Sequence, residues 1–462
     1  MTETPSAIGA AAAAADTGAG EIGNVSQSCP KVKLEIGVFF DGTNNNAVNS
    51  MIGGSEGSYA NARSNVALLS VLYKNSTREW VRNSCGGYAL KYSRIYMAGI
   101  GTETGEEDHT FPGSALGMGA TGVESRVYEA CIRVGQEVRR LSPGDPAVEL
   151  TMDVFGFSRG AAAARYFVNC FRQGYIEYDR YFVNRRRAEI IRGLTVKFRF
   201  IGIFDTVAAI GYGQNDWNWP VNVHLKTAQA DRIQHLTARN EFRQNFRLNK
   251  NTPGGGDTRA LPGAHSDVGG GYRDAGDEVM IQNARTLSFP RRETAADARG
   301  RLLSRAASQR AADEAIWIRE GWINPGETTG GVVANATPVA SRSEYSLMGG
   351  ATTVYHFRFD KRLSRPWVQI GLSRIPLRIM YDKAKEAGVP FRAFGSTGEY
   401  TVPPGLRPVA SKLVGGGSLT AAENRFVLRN YGHISANIGA IGMSPEDDHV
   451  RVEYDNRASR AV

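Results

Sequence analysis

The stretch MDVFGFSRGAAAAR, positions 152–165, decides how the whole chain is read. It holds the pattern G-x-S-x-G at 156–160, which has two readings. Ser158 is either a nucleophile carried on a sharp strand-to-helix turn or a serine that only caps a helix. The pattern is cheap in a chain with 53 glycines, and a second copy occurs at Gly53-Gly54-Ser55-Glu56-Gly57. Context separates the two. The copy at 156–160 follows the apolar run VELTMDVF (148–155) and precedes Ala161–Ala164, small residues that let a helix sit tightly on a sheet. The copy at 53–57 has no strand-like run before it and is set aside as a loop serine.

Outward from this turn, strand and helix signals alternate. KLEIGVFF (33–40) is a short apolar run closed by the turn-forming cluster Asp41-Gly42-Thr43-Asn44. Helical spacing covers 62–73, RIYMA (94–98) reads as a strand, and a helix is predicted over 123–140. Helix 161–171, strand 196–204 and a strand at 258–264, shortened by Pro262, follow. The alternation predicts an α/β fold of the α/β-hydrolase kind, a mostly parallel central sheet with helices on both faces. Ligands bind such sheets beyond the carboxyl ends of the strands, here the loops after Phe40, Phe155, Phe204 and Ala264.

The expected organisation is a disordered tail at 1–30 and a catalytic core at 31–285. Residues 286–364, rich in Arg, Ser, Ala and Gly, read as an inserted cap-like segment, a candidate membrane- or partner-binding piece. The C-terminal part of the core then occupies 365–462, with a helix near 372–387.

Of the 462 residues, 42% are hydrophobic and 22% charged, an ordinary globular composition. The formal charge of +9 favours an anionic contact, but no helix-turn-helix, zinc-finger or RNA-binding signature appears, so nucleic acid is not expected as a partner. Cys29, Cys85, Cys131 and Cys170 are widely spaced, which argues against a disulfide framework. No apolar run reaches about 18 residues, and the N-terminus lacks the basic start and leucine-rich core of a secretory signal. Gly117-Met118-Gly119-Ala120-Thr121-Gly122 fits a dinucleotide fingerprint, yet it follows a loop and lacks the acidic partner that fingerprint requires. No cofactor and no metal are expected.

A serine nucleophile needs a histidine base and an acid, in the chain order Ser…Asp/Glu…His on this scaffold. His265, in ALPGAHSDVGGGY after an apolar strand, is the first candidate base; His433, in RNYGHISAN, is the alternative. His356 is expected to pack beside aromatic residues in a strand. Asp205 ends the strand RFIGIFDTV at the serine's sheet edge and suits the acid. Asp267 is its rival, better suited to bracing the loop. The oxyanion hole should use the backbone N–H of Arg159 and one from FFDGTNNN, with Gly42 the choice and Asp41 or Thr43 the alternatives.

Taken together, FFDGTNNN, GIGT (99–102), GMGATGVESRV (117–127), GFSRGAAAAR, FDTVAAIG (204–211), HLTARNEFRQNF (235–246) and LPGAHSDVGGGY (261–272) resemble, in order, signature blocks of the α/β-hydrolase domain of type VI secretion phospholipase effectors. LSRIPLRIMYDKA (372–384) and YGHISAN (431–437) resemble weaker later blocks. The resemblance implies an antibacterial lipase that cleaves membrane phospholipids through an acyl-enzyme, with Ser158, Asp205 and His265 in the catalytic roles. It also implies a cognate immunity protein, docking on a secretion spike protein, and export by an injection machine without a signal peptide. Larger effectors of this kind carry extensive membrane-anchoring regions, so in this chain the 286–364 segment would supply that contact. The alternatives are a soluble serine esterase of the same fold and a non-catalytic secretion adaptor.

Overall fold

The computed structural model describes residues 31–457 except 77, 85, 107, 109–118, 120, 145–147, 179–185, 191–193, 211–217, 219–220, 274–275, 291–293, 346–350 and 439–442. The expected tail at 1–30 and most of the glycine-rich loop at 113–122 therefore lie outside the described residues.

The chain opens with β1 (Val32–Phe40), the short helices α1 (Ala47–Ile52) and α2 (Gly57–Ala60), and α3 (Asn65–Leu72). Strands β2 (Arg78–Val81) and β3 (Tyr88–Met97) lead to α4 (Val123–Leu141), and β4 (Val148–Phe157) runs into α5 (Arg159–Gln173). A small hairpin, β5 (Tyr175–Tyr178) and β6 (Arg186–Glu189), precedes β7 (Thr195–Phe204), β8 (Arg232–Ala238), β9 (Leu248–Asn249) and β10 (Asp257–Leu261). Then come α6 (His265–Gly269), β11 (Gly276–Pro290), α7 (Ala295–Glu320), β12 (Gly331–Tyr345) and β13 (Ala351–Val368). The C-terminal region adds α8 (Arg374–Glu386), α9 (Arg407–Val414), α10 (Ala421–Tyr431) and β14 (Glu453–Tyr454).

Seven strands form the central sheet in the order β10-β8-β7-β4-β1-β3-β2. All neighbouring pairs are parallel except the edge pair β2–β3. The middle strands are apolar on both sides because both sides are covered. Leu34, Ile36, Val38 and Phe40 of β1 join Leu150, Met152 and Val154 of β4 beneath α4 and α5. Phe39, Phe155, Phe157, Phe200 and Phe204 point the other way, into a core closed by α3, α8, α9 and α10. The α/β expectation of a mostly parallel sheet between helices is met. β8 was not anticipated; it inserts between β7 and β10 and sets the spacing of the loops that matter below.

Where the sequence rhythm breaks, the structure holds a separate antiparallel sheet, β11-β13-β12, with α7 along β12. Its strands begin at Gly276, ahead of the boundary expected at 286. Trp317 and Trp322 pack with Met280, Val332 and Leu363 and with Ile434 and Ala436 of the C-terminal segment, which ties this sheet to the body. Among the described residues no helix is long and apolar enough to cross a membrane.

Candidate functional site

The serine turn is built by contact between backbone and backbone. Ser158 sits between β4 and α5 at φ 57°, ψ −127°. A Cβ on Gly156 would strike the backbone of Gly160 and Ala161, and a Cβ on Gly160 would strike the carbonyl oxygens of Phe40 and Asp41. Only glycine at both places lets the turn close this tightly. The Ser158 N–H donates to the Phe204 carbonyl at 3.1 Å, locking the serine to the end of β7. Its side chain makes no N-cap bond to α5, so capping does not account for Ser158. The other G-x-S-x-G copy lies in the exposed link between α1 and α2, with no strand before it.

Asp205 follows β7 directly, at φ 38°, fully buried. His265 begins α6, one short loop after β10, and is 4% exposed. The His265 Nδ1–Asp205 Oδ2 distance is 2.5 Å. Asp205 also accepts from the Ala238 N–H at 2.8 Å and from both terminal nitrogens of Arg451, at 2.7 and 2.8 Å. Burial alone would raise the Asp205 pKa, but Arg451 and His265 outweigh it and hold the carboxyl far below the usual range. Asp205 is therefore ionised, and the Nδ1–H of His265 is the donor, which leaves Nε2 of the neutral ring as a hydrogen-bond acceptor. Burial also lowers the His265 pKa, only partly offset by Asp205.

His265 is packed as well as bonded. Phe157, the residue before Ser158, lies 4.6 Å from the imidazole centre and Phe246 meets it edge-on at 4.9 Å. The His265 N–H donates to Glu241, which is itself in a buried ion pair with Arg243. Among the described residues no hydrogen bond joins Ser158 Oγ to His265; Phe157 beside the serine meets the imidazole, and the end of β7 holds the serine through Phe204 and the imidazole through Asp205. The two alternatives from the sequence have found each other instead. Asp267 Oδ1 is 2.8 Å from His433 Nδ1, and Asp267 Oδ2 accepts from the N–H groups of His433 and Ala264. His433 stacks on Tyr272 at 3.8 Å. This second pair fastens α6 to the C-terminal segment. His356 is on β13, 2.8 Å from Ser288 on β11.

On the serine's other side, the loop after β1 reaches α5 through Arg159 Nε, which donates to Thr43 Oγ1 at 2.8 Å. The Gly42 N–H donates to the carboxylate of Asp41 at 2.7 Å, so this amide is engaged within its own loop. Asp41 also takes a 2.5 Å bond from Tyr96 Oη, and burial lifts its pKa to about 6. Arg451 and Glu241 were missed by sequence reasoning, which has no motif for a charged residue reaching the site from a distant segment. Cys131 and Cys170 are free thiols, and among the described residues no cluster of His, Cys, Asp or Glu could hold a metal ion.

Fold and site together define an α/β protein with a serine and a buried His–Asp pair at the carboxyl edge of its sheet. Residues 177–290, which include Asp205 and His265, match the family described as the T6SS phospholipase effector Tle1-like catalytic domain. This bears out the resemblance to type VI secretion phospholipase effectors. The fold is similar to that of the Tle1 effector bound to the VgrG spike from the type 6 secretion system, with TM-score 0.64 and 24% identity over 92% of this chain and 94% of that one. An uncharacterized protein from Pseudomonas aeruginosa aligns at TM-score 0.45 and 20% identity, over 87% of this chain and 53% of that one. No curated protein matches the sequence.

Proposed function

We propose that the chain is a serine phospholipase with an α/β-hydrolase core, delivered by a type VI secretion machine. The observation that carries this reading is the strained Ser158 turn on the same sheet edge as the 2.5 Å His265–Asp205 pair. Strand order supports it: the serine follows the central strand β4, the acid follows its neighbour β7, and the base follows the edge strand β10. In this reading His265 Nε2 takes the Ser158 proton as Oγ attacks the ester carbonyl. The tetrahedral oxyanion collapses to an acyl-enzyme as the alcohol leaves with that proton, and water releases the fatty acid. Asp205 holds the ring and stabilises the transient imidazolium.

The Arg159 N–H at the start of α5 is one oxyanion donor. Gly42 is the second, and in that role its N–H turns from Asp41 toward the substrate oxygen. The antiparallel sheet with α7 is our candidate for membrane or partner contact. The Tle1 likeness supports docking on a VgrG-type spike; a cognate immunity protein belongs to the same proposal on the sequence resemblance alone.

The test is fatty-acid release from phospholipid vesicles together with fluorophosphonate labelling of the serine. Ser158→Ala and His265→Ala should each lose at least about 10³-fold in turnover. His433→Ala should keep most activity while the protein stays folded. Activity retained in Ser158→Ala would overturn the assignment, and selective death of His433→Ala would move the base to His433.

A further inference from the structure

Asp205 is an unusual carboxylate for its proposed place, because a buried arginine grips it from 246 residues away. Its two oxygens take four bonds: Oδ1 from the Ala238 N–H and Arg451 Nη1, Oδ2 from His265 and Arg451 Nη2. The Arg451 side chain is itself buried, and its Nε donates to the Phe246 carbonyl at 2.6 Å. The backbone around it is pinned by β14, which pairs in parallel with β9, and by the Leu248 N–H bond to Val452. Arg451 thus belongs to a C-terminal segment laid across the floor of the site.

We propose that Arg451 is a positioning residue of this site: it orients the Asp205 carboxylate and cancels part of the charge that His265 feels. The inference rests on the serine-hydrolase reading given above. A bidentate guanidinium fixes the carboxylate plane as a point charge does not. With Arg451 in place, the paired charges favour the imidazolium less than a lone carboxylate would, and the ring stays a free base to lower pH. The other titratable or charged groups around this pair are Glu241 and Arg243 from the loop after β8 and His235 on β8, which in turn feels Arg165 on α5. Glu241 and Arg243 compensate each other, burial holds His235 neutral with a pKa of about 3, and Arg165 bonds the Val223, Asn249 and Lys250 carbonyls, so Arg451 is the charged side chain in direct contact with Asp205.

Fluorophosphonate labelling of Ser158 against pH, in wild type, Arg451→Met and Arg451→Lys, reads this out. In Arg451→Met the acid limb should move to higher pH, with labelling about tenfold slower near pH 5.5. Arg451→Lys keeps the charge and loses the fork, so its rate should fall while its acid limb stays near wild type. In Arg451→Met a purely structural role would slow labelling equally at every pH, and that result, or an unchanged profile in that variant, overturns the proposal. Should Arg451→Met not fold, the lysine variant decides: a rate within about twofold of wild type throughout overturns it. Titration of the His265 ring by NMR in wild type and Arg451→Met needs no catalysis, and equal titration in those two proteins also overturns it. Failure of the serine reading would look different, as wild-type protein that does not label at Ser158.

Discussion

Ser158 holds a backbone conformation that residues with side chains rarely adopt, and the two glycines beside it leave no room for anything larger. The strain is affordable only because the turn is pinned at three points: β4 before it, α5 after it, and the Phe204 carbonyl across from it. Gly160→Ala should therefore destabilise the fold by about 1–3 kcal/mol, since the new methyl must push α5 off the Phe40 and Asp41 carbonyls. It should also slow serine labelling more than that loss explains, because the turn itself is displaced. Thermal melts and labelling rates check both, and a Gly160→Ala protein with wild-type rate would show that the close approach is dispensable. At this scale Ser158 and Asp205 are legible as candidates because each ends an apolar run, and His265 because it opens a glycine-rich loop after a strand signal, although β10 itself is mostly exposed. Arg451, Glu241 and the Asp267–His433 pairing were not, since each depends on which distant segments meet. Gly42 follows from loop position alone, and its bond to Asp41 is a product of how the loop folds.

The strands that carry the site also carry a largely buried charge network at their middle. Arg199 of β7 bonds both oxygens of Asp153 on β4 and reaches Glu35 of β1 at 2.7 Å, and Tyr73 donates to Asp153 at 2.8 Å. Burial raises the pKa of both carboxyls despite Arg199. Replacing Arg199 by Met leaves Asp153 and Glu35 buried without a cation, which should cost about 3–5 kcal/mol. Urea unfolding at neutral pH measures that loss. By linkage the deficit should shrink as the pH is lowered and the two carboxyls take up protons. A loss that does not vary with pH would mean the arginine acts by packing alone. Asp153 lies inside the quoted stretch MDVFGFSRG, yet its partner is invisible from sequence. For similar reasons β1, β4 and β7 were readable as apolar runs, while β8 was hidden by Gln234, His235 and Thr237, polar residues buried at their positions. The strands β11–β13 and α7 expose many polar side chains, and a one-sided element of that kind lacks the continuous apolar run by which the central strands were found.

Across the whole molecule, the C-terminal segment binds the body at both components of the His–Asp pair. Arg451 holds Asp205, and His433 holds α6, the element that begins with His265. Glu278 of β11 reinforces the second attachment by accepting from the Ile434 and Ser435 N–H groups, at 2.6 and 3.0 Å. Burial pushes the His433 pKa down, but Asp267 more than offsets it and the net shift is upward. A histidine whose folded pKa exceeds its unfolded value contributes stability that is complete below the unfolded pKa of 6.5. That contribution is lost as the pH rises through the folded pKa. His433→Gln should therefore cost about 1–3 kcal/mol near pH 6, and its deficit against wild type should narrow near pH 9. Urea unfolding of both proteins at the two pH values measures the difference. Serine labelling of the folded variant near pH 6 then separates a tether from a base: a tether leaves Ser158 reactive, whereas a base leaves it inert. A deficit equal at both pH values would remove the ion pair with Asp267 as the source of the attachment and leave the backbone bonds of His433, Ile434 and Ser435 to hold the segment in place.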